Sequence, residues 1–87
     1  MKYLYFSASW CGPCKTLGPI IERVKNYKIN VQKIDVDTNN SLVSQYGVRN
    51  IPTVVLVDDM EKEMTRIMGV QSVEKYVSVY ESFDTQK

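Results

Sequence analysis

Histidine is absent from this chain, and cysteine occurs only twice. The first absence removes imidazole as a general base. It excludes Ser–His–Asp and Cys–His catalysis, histidine metal sites and imidazole proton shuttles. With two cysteines and no histidine, zinc lacks its usual four ligands. An excess of one charge is missing as well: 11 basic and 10 acidic side chains leave a net charge of +1. No run of Lys and Arg is dense enough to follow a phosphate backbone, so nucleic acid is not expected as a partner. The longest purely apolar run, Val54 to Val57, is far too short to cross a bilayer, and no membrane association is expected. Asp35, Asp37, Asp58 and Asp59 lack the spacing of an oxygen-rich cation loop and read as strand-end and turn residues, so no metal is expected. Met60, Met64 and Met68 are too few for a Met-rich surface.

What is present suits one small soluble domain over residues 1–87, with 44% hydrophobic and 24% charged residues. Lys2–Phe6 is short and aromatic-rich, a strand by propensity. It is shorter than a signal-peptide core and Trp10-Cys11 follows at once, so an unprocessed cytoplasmic protein is expected. From Gly12 to Tyr27, Leu17, Ile20, Ile21, Val24 and Tyr27 recur at helical spacing. Pro13 sits in the first turn, where a missing N–H costs nothing, and Pro19 predicts a kink. Ile29–Val36 alternates as a strand. Asn39 or Asn40 caps a short helix through Tyr46, closed by Gly47. Thr53–Val57 is a β-branched buried strand bounded by Pro52 and Asp58-Asp59. After a turn, Glu63–Met68 makes a last strand ending at Gly69. Ser72 then caps a helix carrying Val73, Tyr76, Val77, Tyr80 and Phe83, and the last four residues are expected to fray. The order β-α-β-α-β-β-α implies an α/β fold. It begins with a right-handed parallel crossover and ends in an antiparallel hairpin, giving a four-stranded mixed sheet with helices on both faces.

Cys11 and Cys14 lie where the first strand gives way to the first helix. Residues three apart on a helix share a face, so the two sulfurs can meet. At the helix start, unpaired N–H groups and the helix dipole favour a thiolate and lower the Cys11 pKa from the ordinary value of about 8.5. Cys14, one turn further in, is expected to be the less exposed. This assigns Cys11 as the group that attacks a substrate disulfide and Cys14 as the one that resolves the mixed disulfide, leaving a Cys11–Cys14 disulfide. The competing readings are a purely structural disulfide and a pair of buried, inert thiols, the latter disfavoured because a strand-to-helix junction is a poor place to hide them. Closing so small a loop yields only about 2 kcal/mol, and cytosolic disulfides are rare unless catalytic.

The run Trp10-Cys11-Gly12-Pro13-Cys14-Lys15, with Pro19 and Ile51-Pro52-Thr53, resembles the thioredoxin family. The resemblance extends through Lys33–Asp37, Tyr46–Arg49 and Gly69, and covers essentially the whole chain. It implies a thioredoxin-like fold without the leading strand and helix of a typical member, nearer to glutaredoxin in size. It also implies a cis peptide at Pro52 facing the cysteines, and an Ile51 backbone that pairs with an extended substrate segment. Trp10, Gly12, Pro13, Ile51, Gly69 and Val70 would form an apolar surface around Cys11. The activity implied is reduction of disulfide-containing proteins by a monomer that binds no cofactor beyond its redox-active disulfide. A thioredoxin-reductase-like flavoenzyme would recharge it, with ribonucleotide reductase a substrate by analogy. The alternatives are a glutathione-dependent, glutaredoxin-like reductase, or a thioredoxin-fold accessory subunit of another enzyme. An isomerase or oxidant fits less well, since those relatives usually place histidine between the cysteines. Three positions depart from the family pattern. Tyr5 stands where a buried aspartate is usual, Ser7 replaces a second tryptophan, and Asn50 replaces a glycine. Lys33 matches the lysine that normally neighbours that aspartate. Asp35, two residues on, shares its strand face and is expected to form a surface ion pair with it.

Overall fold

A computed structural model describes residues 1–84. Its elements are β1 (Lys2–Ser7), α1 (Gly12–Lys25), β2 (Val31–Asp35), α2 (Asn40–Gln45), β3 (Thr53–Val57), β4 (Glu63–Met68) and α3 (Val73–Asp84). The expected element order is therefore what forms. The strands make one mixed sheet in the order β2-β1-β3-β4, with β1 parallel to β2 and the other pairs antiparallel. β1 is central, which explains why Tyr3 to Ser7 are all buried.

Alternation along the strands sends side chains to two separate cores. On one face Tyr3, Tyr5, Val54, Leu56 and Ile67 pack against Leu17, Ile21 and Val24 of α1 and Val73 and Tyr76 of α3. On the other, Leu4, Phe6, Ile34, Val55 and Val57 pack against Tyr46 and Val48, with Leu42 and Val43 of α2 at the margin. β3 is buried on both faces, and its Val-rich run reads accordingly.

Helix α1 runs through Pro19 without interruption but stops at Lys25, two residues short of the boundary that periodicity suggests. There the hydrogen bonds tighten to i→i−3: Asn26 N–H donates to the Arg23 carbonyl, and Tyr27 N–H to that of Val24. Tyr27 thereby leaves the apolar stripe and is exposed rather than core. β2 is also shorter than expected, although Val36 N–H still donates to the Ser7 carbonyl at 2.9 Å and extends the parallel ladder by one bond. Asn39 occupies the N-cap of α2 without a side-chain cap bond, because its amide donates to the Asp35 carbonyl instead. Gly47 closes α2 at φ +59°. Val48 N–H reaches back to the Val43 carbonyl and Gly47 N–H to that of Ser44, so the last carbonyls of the helix are satisfied. Ser72 Oγ accepts from Lys75 N–H at the start of α3. Asp58 accepts from the Met60 and Lys62 N–H groups and fixes the β3–β4 turn. Of the last four residues, Asp84 ends α3, and residues 85–87 lie outside the described part of the chain.

Candidate functional site

β1 ends at Ser7, and the chain crosses Ala8, Ser9 and Trp10 before α1 begins. Cys11 is the N-cap of that helix, with Pro13 in its first turn. The cap side chain is therefore sulfur: Cys11 Sγ accepts the backbone N–H of Cys14 at 3.2 Å. A sulfur in this place neutralises one of the orphan N–H donors of the helix start, and negative charge on it is favoured by that bond and by the helix dipole. No acidic side chain stands in the first turn to oppose it. The two sulfurs are joined as a disulfide across Cα atoms 5.2 Å apart.

The expected difference in exposure between the cysteines is not found. Both are 5% exposed, and both pack with Ala8 against Val36 and Ile51. The asymmetry lies elsewhere: Cys11 carries the cap hydrogen bond, whereas Cys14 alone lines a cavity of about 310 Å³ behind the pair.

That cavity is bordered by Tyr5, Ser7, Ser9, Lys33 and Asp35. Its position follows from the topology. β2 is an edge strand whose Ile34 turns into the α2-side core, so Lys33 and Asp35 face the α1 side, where nothing covers them. Tyr5, paired in register with Lys33, is buried, and its hydroxyl donates to the Cys14 carbonyl at 3.0 Å. Burial pushes the Tyr5 phenol above its usual pKa, partly offset by a hydrogen bond with Ser7. The expected Lys33–Asp35 ion pair is not among the ion pairs of the described residues. The Asp35 carboxylate accepts the Asp37 N–H at 2.9 Å instead, as an Asx-type turn at the strand end demands.

Facing the disulfide from the other side is the segment before β3. The Ile51–Pro52 peptide is cis, and Pro52 is buried. Thr53, itself 1% exposed, donates its hydroxyl to the Asn50 carbonyl at 2.6 Å and so pins the ends of this bend together. Gly69 N–H donates to the Pro52 carbonyl at 3.0 Å, with Gly69 at φ +76°, where only glycine is unstrained. Around these lie Trp10, at 67% exposure, exposed Gly12, Pro13 and Val70, and half-buried Ile51 and Gly69.

Three supporting residues were not legible as such in the sequence. Asp37 accepts the Trp10 indole N–H at 2.9 Å and orients that exposed ring. Tyr76, which periodicity assigns to the core, also donates its hydroxyl to the Gly69 carbonyl at 3.1 Å. Thr53 reads as a strand residue and as the end of the Ile51-Pro52-Thr53 motif, with nothing to assign its hydroxyl to the bend. Buried polar atoms in an otherwise apolar strand are the signal that marks it.

Comparison with known proteins agrees with this architecture. The family model described as Thioredoxin matches residues 2–82. A thioredoxin of Rickettsia felis is 44% identical over 69 residues, which cover 76% of this chain and 65% of that protein. The chain thus spans somewhat less than two thirds of this curated relative's length. Among solved structures, a mutant thioredoxin from Halobacterium salinarum superposes with a TM-score of 0.85 at 40% identity, covering 92% of this chain and 71% of the other. Thioredoxin 1 of Thermosipho africanus gives a TM-score of 0.83 at 32% identity, with both chains covered in full.

Proposed function

The chain belongs to the thioredoxin family, and from that premise we propose that it reduces disulfides in other proteins through the Cys11/Cys14 dithiol. The observation that carries this reading is the placement of Cys11 Sγ as the N-cap acceptor of α1, bonded to a partner thiol one turn on. A thiolate held there is the better nucleophile at neutral pH. Cys11 attacks one sulfur of the substrate disulfide, and the other sulfur leaves as a thiolate. Cys14 then attacks Cys11 Sγ, which breaks the mixed disulfide and releases the reduced substrate. Two electrons pass to the substrate, and the disulfide described above is the product. No bound cofactor is required in this cycle.

The substrate docks over the exposed Trp10, Gly12, Pro13 and Val70. The backbone groups of Ile51 make no hydrogen bond among the described residues and can pair with an extended segment of it. A flavoenzyme of the thioredoxin-reductase kind regenerates the dithiol in the cytoplasm, where the protein works as a monomer. Ribonucleotide reductase is a substrate by family analogy only. No helix among the described residues is long and apolar enough to cross a membrane. Insulin reduction provides the test. Cys11→Ser abolishes turnover, and Cys14→Ser accumulates substrates as mixed disulfides on Cys11. Trapping by Cys11→Ser instead would reverse the assignment of attacker and resolver.

A further inference from the structure

The resolving step needs a base, because Cys14 attacks only as a thiolate. Around Cys14 the ionisable groups are few. On its own helix are Cys11 and Lys15, on β1 is Tyr5, and on β2 are Lys33 and Asp35. The lysines are cations and accept no proton. Tyr5 is a neutral phenol whose hydroxyl is already donated to the Cys14 carbonyl. Asp35, the one carboxylate, is an exposed residue whose Oδ1 is engaged by the Asp37 N–H. Among the described residues, no buried carboxylate borders the cavity. Cys14, itself buried, does border it, and Cys11 does not.

Building on the reading of Cys14 as the resolving thiol, we propose that Cys14 gives up its proton to a base drawn from solvent through this cavity, with no protein carboxylate in the relay. In that step the Cys14 S–H proton passes to water, hydroxide or a buffer base inside the cavity. The Cys14 thiolate forms the bond to Cys11 Sγ as the Cys11–substrate S–S bond breaks, and the departing thiolate takes its proton from bulk solvent. Tyr5 acts as a positioning residue, holding the first turn of α1 against β1 while the cavity stays open beside it.

Gly18 supplies the means of testing this. It lines the cavity from α1, and a Cβ placed there meets no atom within 4 Å. A side chain can therefore start there without a clash at its first carbon, and replacing a helical glycine favours the helix by roughly 1 kcal/mol. The reduced protein is mixed with excess 5,5′-dithiobis(2-nitrobenzoate), and thionitrobenzoate release is followed in two phases. The first depends on reagent concentration and reports attack by Cys11. The second is independent of it and reports resolution by Cys14. Gly18→Leu is expected to slow the second phase several-fold and leave the first unchanged, with Gly18→Ala close to the parent. In the parent, the second-phase rate is expected to rise about tenfold per pH unit below the thiol pKa, with no inflection in the carboxylate range. An unaltered second phase in Gly18→Leu would overturn the proposal. So would a several-fold loss in Asp35→Asn, which would place the base on that carboxylate. If neither phase appeared, the reductase reading itself would fail. Two phases insensitive to Gly18→Leu would remove only the solvent route.

Discussion

Removing the Tyr3 hydroxyl should destabilise the protein near neutrality and cease to do so in alkali. Tyr3 is fully buried, and its hydroxyl donates to the Tyr76 carbonyl at 2.6 Å, tying β1 to α3. Its ring stands edge-on to Tyr76 at 6.1 Å between centroids and tilted to Tyr80 at 5.7 Å, contacts that phenylalanine retains. Tyr3→Phe thus removes one hydrogen bond. The Tyr76 carbonyl keeps its place in the ladder of α3, so the cost is that of an ordinary bond, about 1 kcal/mol, and not that of an orphaned acceptor. Burial, reinforced by the neighbouring Tyr76 and Tyr80 hydroxyls, holds the Tyr3 phenol far above its ordinary pKa. A group whose folded-state pKa is raised contributes stability that is complete below the unfolded pKa and lost as pH climbs toward the folded one. For tyrosine that loss begins near pH 10 and runs at about 1.4 kcal/mol per pH unit. Phenylalanine has no such liability, so the stability curves of parent and variant should cross at about pH 11. Urea midpoints of the disulfide form, followed by far-ultraviolet circular dichroism from neutral pH to beyond the crossing, measure this directly. Two curves that stay parallel would refute the reasoning, because they would mean that the Tyr3 hydroxyl ionises as freely in the native state as in the unfolded chain.

Two further substitutions probe the frame around the site. Gly47→Ala forces a Cβ into the left-handed conformation that ends α2 and should cost about 1 kcal/mol in the urea midpoint. Asp37→Ala leaves stability within about 0.5 kcal/mol, since the bond it removes is exposed. It should nevertheless lower the fluorescence anisotropy of Trp10, the one tryptophan, and slow insulin reduction. Unchanged anisotropy would mean that Asp37 does not hold the ring.

The element order and the reactive pair were legible because each rests on local chemistry. Period-2 and period-3.6 patterning, Pro13 in a first turn, Gly47 after a helix and two cysteines three apart need no tertiary information. The misreadings share a different origin. Tyr27 fits the helical stripe, yet the last turn tightens and swings it into solvent. The burial of Cys11 depends on Ile51, forty positions away, folding across the disulfide. The Asp37–Trp10, Tyr76–Gly69 and Tyr5–Cys14 bonds join side chains to partners that only the assembled sheet brings together. The openness of the Tyr5 cavity is likewise a property of β2 being an edge, which no residue of β2 announces.

The position of β1 between β2 and β3 has a mechanical consequence. Phe6 pairs with Thr53, so the cysteine loop and the Ile51–Pro52 bend spring from adjacent rungs of one ladder. The two jaws that would grip a partner are therefore held at a set gape by the paired central strands of the sheet. Opening and closing the four-residue ring requires no hinge, and each turnover should leave the scaffold where it found it.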